Sequence, residues 1–257
     1  LGYDGPMDEV TKAESTVTAA VVALAGELAE HLVEVPEVDA HLTEVITALD
    51  SLVKPVGSRR RGLPPEIRDA VVQLRERRQI LPLLTAYAAR KRERSAMDFA
   101  DQMAVAATLA MRFPQVGAHE RRRFKVVLLD EFQDTSEAQL QLLCALFAEG
   151  EGSAPVIAVG DSHQSIYGWW GASSTTLRQF RSAFGGGGLA PVLPLTTSWR
   201  NAERVLGTAN AVAEPLRAAS VVPVESLVSR PGAARGRVDV ARLETLEDEA
   251  VFVVDWV

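Results

Sequence analysis

A single cysteine, Cys144, stands in the 257-residue chain, which excludes an internal disulfide and any zinc site built from several thiolates. Histidine is almost as scarce. His31, His41, His119 and His163 are scattered, so a histidine-rich metal centre is not expected. Lysine is limited to Lys12, Lys54, Lys91 and Lys125, and none of them follows a glycine. The sequence therefore carries no Gly-Lys-Ser/Thr phosphate loop. Apolar runs such as Val126 to Leu129 fall far short of a bilayer span. The opening residues, Leu1 to Pro6, lack the basic and apolar parts of a secretion signal. No membrane association is expected, and the cytoplasm is the expected compartment. What remains is an ordinary globular composition, 47% apolar and 24% charged, which excludes a disordered chain, a collagen and a coiled-coil rod.

The net charge of −7 hides a strong asymmetry. Residues 1–53 hold eleven acids against Lys12 alone, residues 54–125 hold seventeen Lys and Arg against seven acids, and residues 126–257 turn acidic again. The total gives no sign of a nucleic-acid partner. The middle block does: Arg59–Arg61, Arg75–Arg78, Arg90–Arg94 and Arg121–Arg123 could track phosphates. A solvated helical face, or pairing with the acidic block that precedes it, would account for the same pattern.

Hydrophobic periodicity divides the chain into three. Residues 1–95 are helical by pattern, with helices expected over Thr16–Val33 and Leu42–Val53 and breaks at Pro36, Pro55 and Pro64-Pro65. Residues 96–189 read as α/β: a helix over Met97–Met111, a buried strand over Phe124–Leu129, a helix over Ser136–Ala148 capped by Thr135 or Ser136, a strand over Pro155–Val159 and a helix over Ser174–Phe184. The Gly185–Gly188 run reads as a linker. From Pro191 a third strand is expected, then a helix over Asn201–Glu214, a strand over Arg237–Ala241 and a last helix. Short apolar strands alternating with helices argue for parallel sheet covered by helices. The sequence opens on Leu1 and closes inside a helical pattern, so a piece of a longer polypeptide is the expectation.

Three segments carry chemistry. In Val126-Val-Leu-Leu-Asp-Glu-Phe-Gln-Asp134 an apolar strand ends in adjacent carboxylates. Ligand crevices of open α/β sheets lie at the carboxyl ends of strands. There Asp130 can hold Mg²⁺ through its water shell and Glu131 can orient a water for attack on a γ-phosphate. A polar turn after a strand is the plain alternative. The second strand ends likewise, in Gly160-Asp-Ser-His-Gln-Ser-Ile-Tyr-Gly-Trp-Trp170. Asp161 and Gln164 would sit at the mouth of the same crevice. Tyr167, Trp169 and Trp170 would offer stacking surfaces for unpaired bases, unless one or two of them plug the core. In Ser198-Trp-Arg-Asn201 a strand delivers Trp199 and Arg200 to a helix start. An arginine in a phosphate crevice stabilises transition-state charge, whereas a surface ion pair would be its ordinary use.

These segments, in this order and spacing, resemble motifs II, III and IV of superfamily 1 DNA helicases of the UvrD/PcrA/Rep type. Asp98-Phe-Ala-Asp101 resembles the short motif that precedes motif II in that family, which makes Phe99 a candidate DNA contact. Trp-Arg-Asn in the third segment, with the Arg- and Ala-rich composition, resembles the actinobacterial helicase–nuclease subunits of AdnAB type. The resemblance is dense over 97–214. It implies a P-loop NTPase fold of RecA-like parallel sheet with a helical insertion subdomain over 1–95, the later part of a first motor domain over 96–189 and the start of a second RecA-like domain over 190–257. It also implies ATP and Mg²⁺ as cofactors and single-stranded and duplex DNA as partners, with a second helicase–nuclease subunit as a further possible partner. The implied activity is ATP-driven 3′ to 5′ translocation and unwinding, in DNA repair or recombination.

Residue by residue, the resemblance implies that Asp130 coordinates Mg²⁺, Glu131 polarises water and Gln164 senses the γ-phosphate. Arg200 reaches that phosphate from the second motor domain, and Trp199 stands where a tyrosine stacks on adenine. Trp169 stacks on a base, with Tyr167 in support. Two departures matter. Trp170 replaces the usual arginine, an indole for a guanidinium. The phosphate-loop lysine is missing, so the chain alone is expected not to hydrolyse ATP. A catalytically silent DNA-binding subunit, and an NTPase without a DNA function, are the rival expectations.

Overall fold

The computed structural model describes residues 13–51, 64–148, 154–165, 176–220 and 224–256. The chain divides into two compact units, up to Pro191 and from Val192.

The first unit begins with two helices that meet at 103°, α1 (Glu14–Glu30) and α2 (Val35–Asp50). Val17, Val21, Leu24 and Leu28 recur at helical spacing along α1, and Val21 is buried against Leu83 and Leu84. Helix α1 ends where Leu32 takes a left-handed conformation and Val33 N–H returns to the Leu28 carbonyl at 2.9 Å. Pro36, expected as a break, instead sits in the first turn of α2, where a missing N–H costs nothing. Helices α3 (Pro65–Gln79) and α4 (Leu81–Glu93) follow. Part of the basic block does pair with the acidic one: Arg75 meets Asp50 at 2.6 Å and Arg78 meets Asp39 at 2.7 Å, both exposed.

Helix α5 (Phe99–Arg112) starts on a reciprocal cap, in which Asp101 N–H donates to Asp98 at 2.9 Å and Asp98 N–H to Asp101 at 3.0 Å. Lys91, over the ring of Tyr87, reaches both carboxylates, Asp98 at 2.9 Å and Asp101 at 2.6 Å. Burial works against charge at Lys91, but the two carboxylates outweigh it and hold the ammonium above the usual lysine range. Burial likewise opposes ionisation of Asp98. Hydrogen bonds from Lys91 and the Asp101 backbone outweigh it and hold the carboxyl below the usual range. Asp98 therefore contributes stability that is present above the ordinary carboxylate range and is lost as pH falls through its lowered value. Lys91 contributes stability that is lost only as pH rises through its raised value. Lys91→Met is expected to cost about 1–2 kcal/mol at neutral pH, between the exposed-pair and buried-pair limits. The gap from wild type should close on acidification below the carboxylate range. Urea titrations at neutral and acid pH measure it, and an equal cost at both would refute the clamp.

Helix α6 (Pro114–Arg123) was not foreseen from periodicity. Gly117 allows its approach to the following helix, since a Cβ there would lie 2.6 Å from the Ala145 carbonyl oxygen. The Arg121 guanidinium donates to the Leu146 carbonyl at 2.6 Å. Strand β1 (Val127–Leu129) leads through helix α7 (Glu137–Leu143) to β2 (Val156–Ala158), and the two strands pair in parallel with Leu128 opposite Ile157. Ser136 caps α7 with Gln139 at 3.3 Å, and α7 widens into a π turn over Cys144–Ala148 where a plain helix was expected. Helix α8 (Thr176–Ala183) completes the unit. Leu129, Val156 and Ala158 pack on Phe132, Leu140 and Phe180. The strands are not buried on both faces as expected: Leu128 is 73% exposed and Ile157 53%.

In the second unit β3 (Thr197–Ser198) crosses through α9 (Glu203–Ala219) to β4 (Val228–Ser229), a parallel pair, and α10 (Leu246–Trp256) closes the described residues. The first N–H groups of α9 donate to the carbonyls of Ala234 and Arg235, both at 3.0 Å. Asn210 takes both backbone groups of Leu227, at 2.7 and 3.2 Å. The strand expected over Arg237–Ala241 does not form, and β4 takes its place. Val240 is 90% exposed, so its alternating pattern finds no partner strand. The fold is thus α/β and largely helical. Among the described residues the expected broad parallel sheet is reduced to two separate parallel pairs, because the strands are only two or three residues long. No single described helix is long and apolar enough to cross a membrane.

Candidate functional site

The carboxyl ends of β1 and β2 lie side by side because their pairing continues past the strands. Val159 N–H donates to the Leu129 carbonyl at 2.8 Å, and Phe132 N–H to the Val159 carbonyl at 2.9 Å. Asp130 and Glu131 are exposed at this exit. Glu131 N–H donates to Asp130 Oδ1 at 3.0 Å. Glu131 itself is left-handed, at φ 49° and ψ 39°, a conformation uncommon outside glycine and asparagine. Phe132, next in line, is 1% exposed and meets Phe180 edge to face at 5.1 Å. The carboxylates are thus aimed by a strand on one side and a core anchor on the other.

On the β2 exit, Asp161 organises the turn over Ser162–Gln164. Its Oδ1 accepts from His163 N–H at 2.9 Å and its Oδ2 from Gln164 Nε2 at 2.8 Å. Between the exits stands Gln133, 1% exposed. Its Nε2 donates to Glu131 Oε2 at 2.7 Å and to Asp134 Oδ2 at 3.3 Å. Its Oε1 accepts Asp161 N–H at 3.1 Å, and its carbonyl accepts Ser165 Oγ at 3.2 Å. Gly160 is required here, since a Cβ would lie 2.7 Å from Gln133 Oε1. Sequence reading passed over Gln133 as a site residue. A glutamine in a polar turn gives no sign of burial; the only hint was its place inside a recognisable motif.

The structure thus brings Asp130, Glu131 and Gln164 to adjacent strand exits. Phe99, 86% exposed, opens α5 in the same unit. Trp199, 73% exposed, and Arg200, also exposed, follow β3 in the other unit. Tyr167, Trp169 and Trp170 lie outside the described residues. A cleft at the β1 exit is lined by Met103, Asp130, Glu131, Asp134, Thr135 and Gln139, with three acids and no base among the described residues that line it. Asp134 Oδ1 is buried there without a partner. Such a wall repels a bare phosphate and suits a cation, or a phosphate accompanied by one. No cluster of three carboxylate, histidine or cysteine ligands exists among the described residues. The donor set therefore fits Mg²⁺ held by one carboxylate, water and phosphate, and does not fit an all-protein cage.

Residues 30–185 match the UvrD/REP helicase N-terminal domain. ATP-dependent DNA helicase UvrD1 of Mycobacterium leprae is 31% identical over 142 residues, 52% of this chain and 18% of that protein. DNA helicase II of Escherichia coli is 36% identical over 118 residues, 46% of this chain and 16% of its own length. ATP-dependent DNA helicase PcrA of Bacillus subtilis is 35% identical over 116 residues, 45% of this chain and 15% of its own length. The chain thus spans less than a fifth of the length of these relatives. The match covers more than half of the chain and both strand exits, and the chain belongs to the UvrD/REP helicase N-terminal domain family.

Proposed function

We propose that this chain forms the central part of an ATP-driven DNA helicase that moves along single-stranded DNA, 3′ to 5′, and opens duplex DNA in repair or recombination. The observation that carries this is the pair of adjoining strand exits, with Asp130 and Glu131 beside an acidic cleft on one and Gln164 on the other. Asp130 would hold Mg²⁺, which when bound supplies positive charge to the β- and γ-phosphates. Glu131 orients the attacking water and takes its proton. Gln164, now on Asp161, turns to the γ-phosphate when nucleotide is present. Arg200 adds charge to that phosphate and Trp199 stacks on the adenine. Phe99, Tyr167, Trp169 and Trp170 meet the DNA strand. In this assignment residues 1–95 are a helical insertion, residues 96–189 the later part of a RecA-like motor domain, and residues 190–257 the start of a second one.

The residues of this chain supply no phosphate-loop lysine, so the 257 residues alone bind DNA without turning over ATP. The full gene product is expected to show ATP hydrolysis stimulated by single-stranded DNA, with DNA binding that weakens steeply as salt rises. Salt-dependent DNA binding with no stimulated hydrolysis would favour the silent subunit, to which Trp170 lends support. Absence of DNA binding would overturn both.

A further inference from the structure

We infer that Gln133 is the positioning residue that couples the hydrolytic carboxylate to the loop after β2, so that engagement of that loop is felt at Glu131. This rests on the helicase assignment above and adds a regulatory element to it. A buried side-chain amide has two ends of opposite character. Here the donor end serves Glu131 at 2.7 Å and the acceptor end serves the Asp161 N–H at 3.1 Å. Asp161 in turn holds Gln164 through its other carboxylate oxygen at 2.8 Å. A continuous hydrogen-bonded path therefore runs from Glu131 through Gln133 and Asp161 to Gln164.

Gln133 has little freedom to move independently of either partner. It is 1% exposed, its backbone carbonyl is held by Ser165 at 3.2 Å, and Gly160 leaves no room above its amide. When Gln164 leaves Asp161 for a phosphate, the Asp161 segment loses one restraint. The displacement reaches the amide that aims Glu131. The aim of the base thereby depends on what the loop is holding.

Substitutions at Gln133 separate the two ends. Gln133→Met keeps length and burial and removes both hydrogen bonds. In the full gene product it is expected to retain DNA affinity and nucleotide KM, while the stimulation of kcat by single-stranded DNA falls at least tenfold. Gln133→Glu keeps an acceptor for Asp161 and sets a carboxyl against Glu131 and Asp134 in place of the amide donor. It is expected to lower kcat at least tenfold with and without DNA, again at unchanged KM. A purely structural role would lower the thermal midpoint and leave, in the folded fraction, the stimulation ratio of Gln133→Met and the kcat of Gln133→Glu at their wild-type values, which would overturn the inference. Wild-type stimulation in Gln133→Met, or wild-type kcat in Gln133→Glu, would do the same. Should Gln133→Met not fold, Gln133→Glu decides the question alone. A wild-type protein with no DNA-stimulated hydrolysis would instead overturn the helicase assignment itself.

Discussion

Glu131→Gln in the full gene product is expected to lower ATP turnover by about 10²–10⁴-fold, the usual contribution of a positioned general base. Nucleotide affinity is expected to stay at its wild-type value. The exchange removes a charge and keeps the shape. Gln133 Nε2 still finds an oxygen acceptor, the left-handed backbone carries a glutamine as it carries a glutamate, and Asp130 keeps its carboxylate. Steady-state hydrolysis and an equilibrium titration with a fluorescent nucleotide, run on the same preparation, measure the two quantities. Turnover at the wild-type level would remove Glu131 from the role of base. Loss of both turnover and binding would mean that it holds the nucleotide.

The second large effect concerns stability. Phe132→Ala is expected to cost about 3–5 kcal/mol, the range for truncating a buried aromatic. Against a typical domain stability of about 5–15 kcal/mol this is a large share. Phe132 is fully enclosed by Leu140, Phe180 and their neighbours, and Phe180 stacks in turn on Phe184 at 4.7 Å. Its removal leaves a cavity under the turn that presents Glu131 and Gln133. Urea unfolding of the chain measures the loss. Phe99→Ala is the control: at 86% exposure it should shift stability by no more than about 0.5 kcal/mol. Equal effects at the two positions would mean that Phe132 is not the anchor of this exit.

The strand exits were legible because two apolar runs stop at Asp130-Glu131 and Gly160-Asp161, and the residues that follow each of them carry the family resemblance. The helix start at Ser136 was legible through its cap, whereas the helix expected from Met97 begins at Phe99, behind an Asp98 cap that periodicity does not reveal. Helix α6 was not, because Arg121 to Arg123 read as a charge run, while its burial depends on Gly117 and Arg121 meeting the π turn of another helix. Strand β4 was not, because two residues make no period. The alternation around Val240 suggested a strand, but a strand needs an edge to pair with, and the described residues offer none there. Pro215 was expected to lie beyond the end of α9. The helix runs through it to Ala219, with Arg217 donating to the Asn210 carbonyl at 2.6 Å. Gln133 was the costliest omission. Its neighbours in sequence are ordinary, and its importance comes from a contact 28 residues away.

The left-handed backbone at Glu131 has a consequence for how this position can drift. A β-carbon in that well costs about 1 kcal/mol or more, which glycine would recover at once. A lineage released from turnover would gain stability by making that exchange. A lineage under selection for turnover must carry the penalty in every generation and offset it elsewhere in the fold.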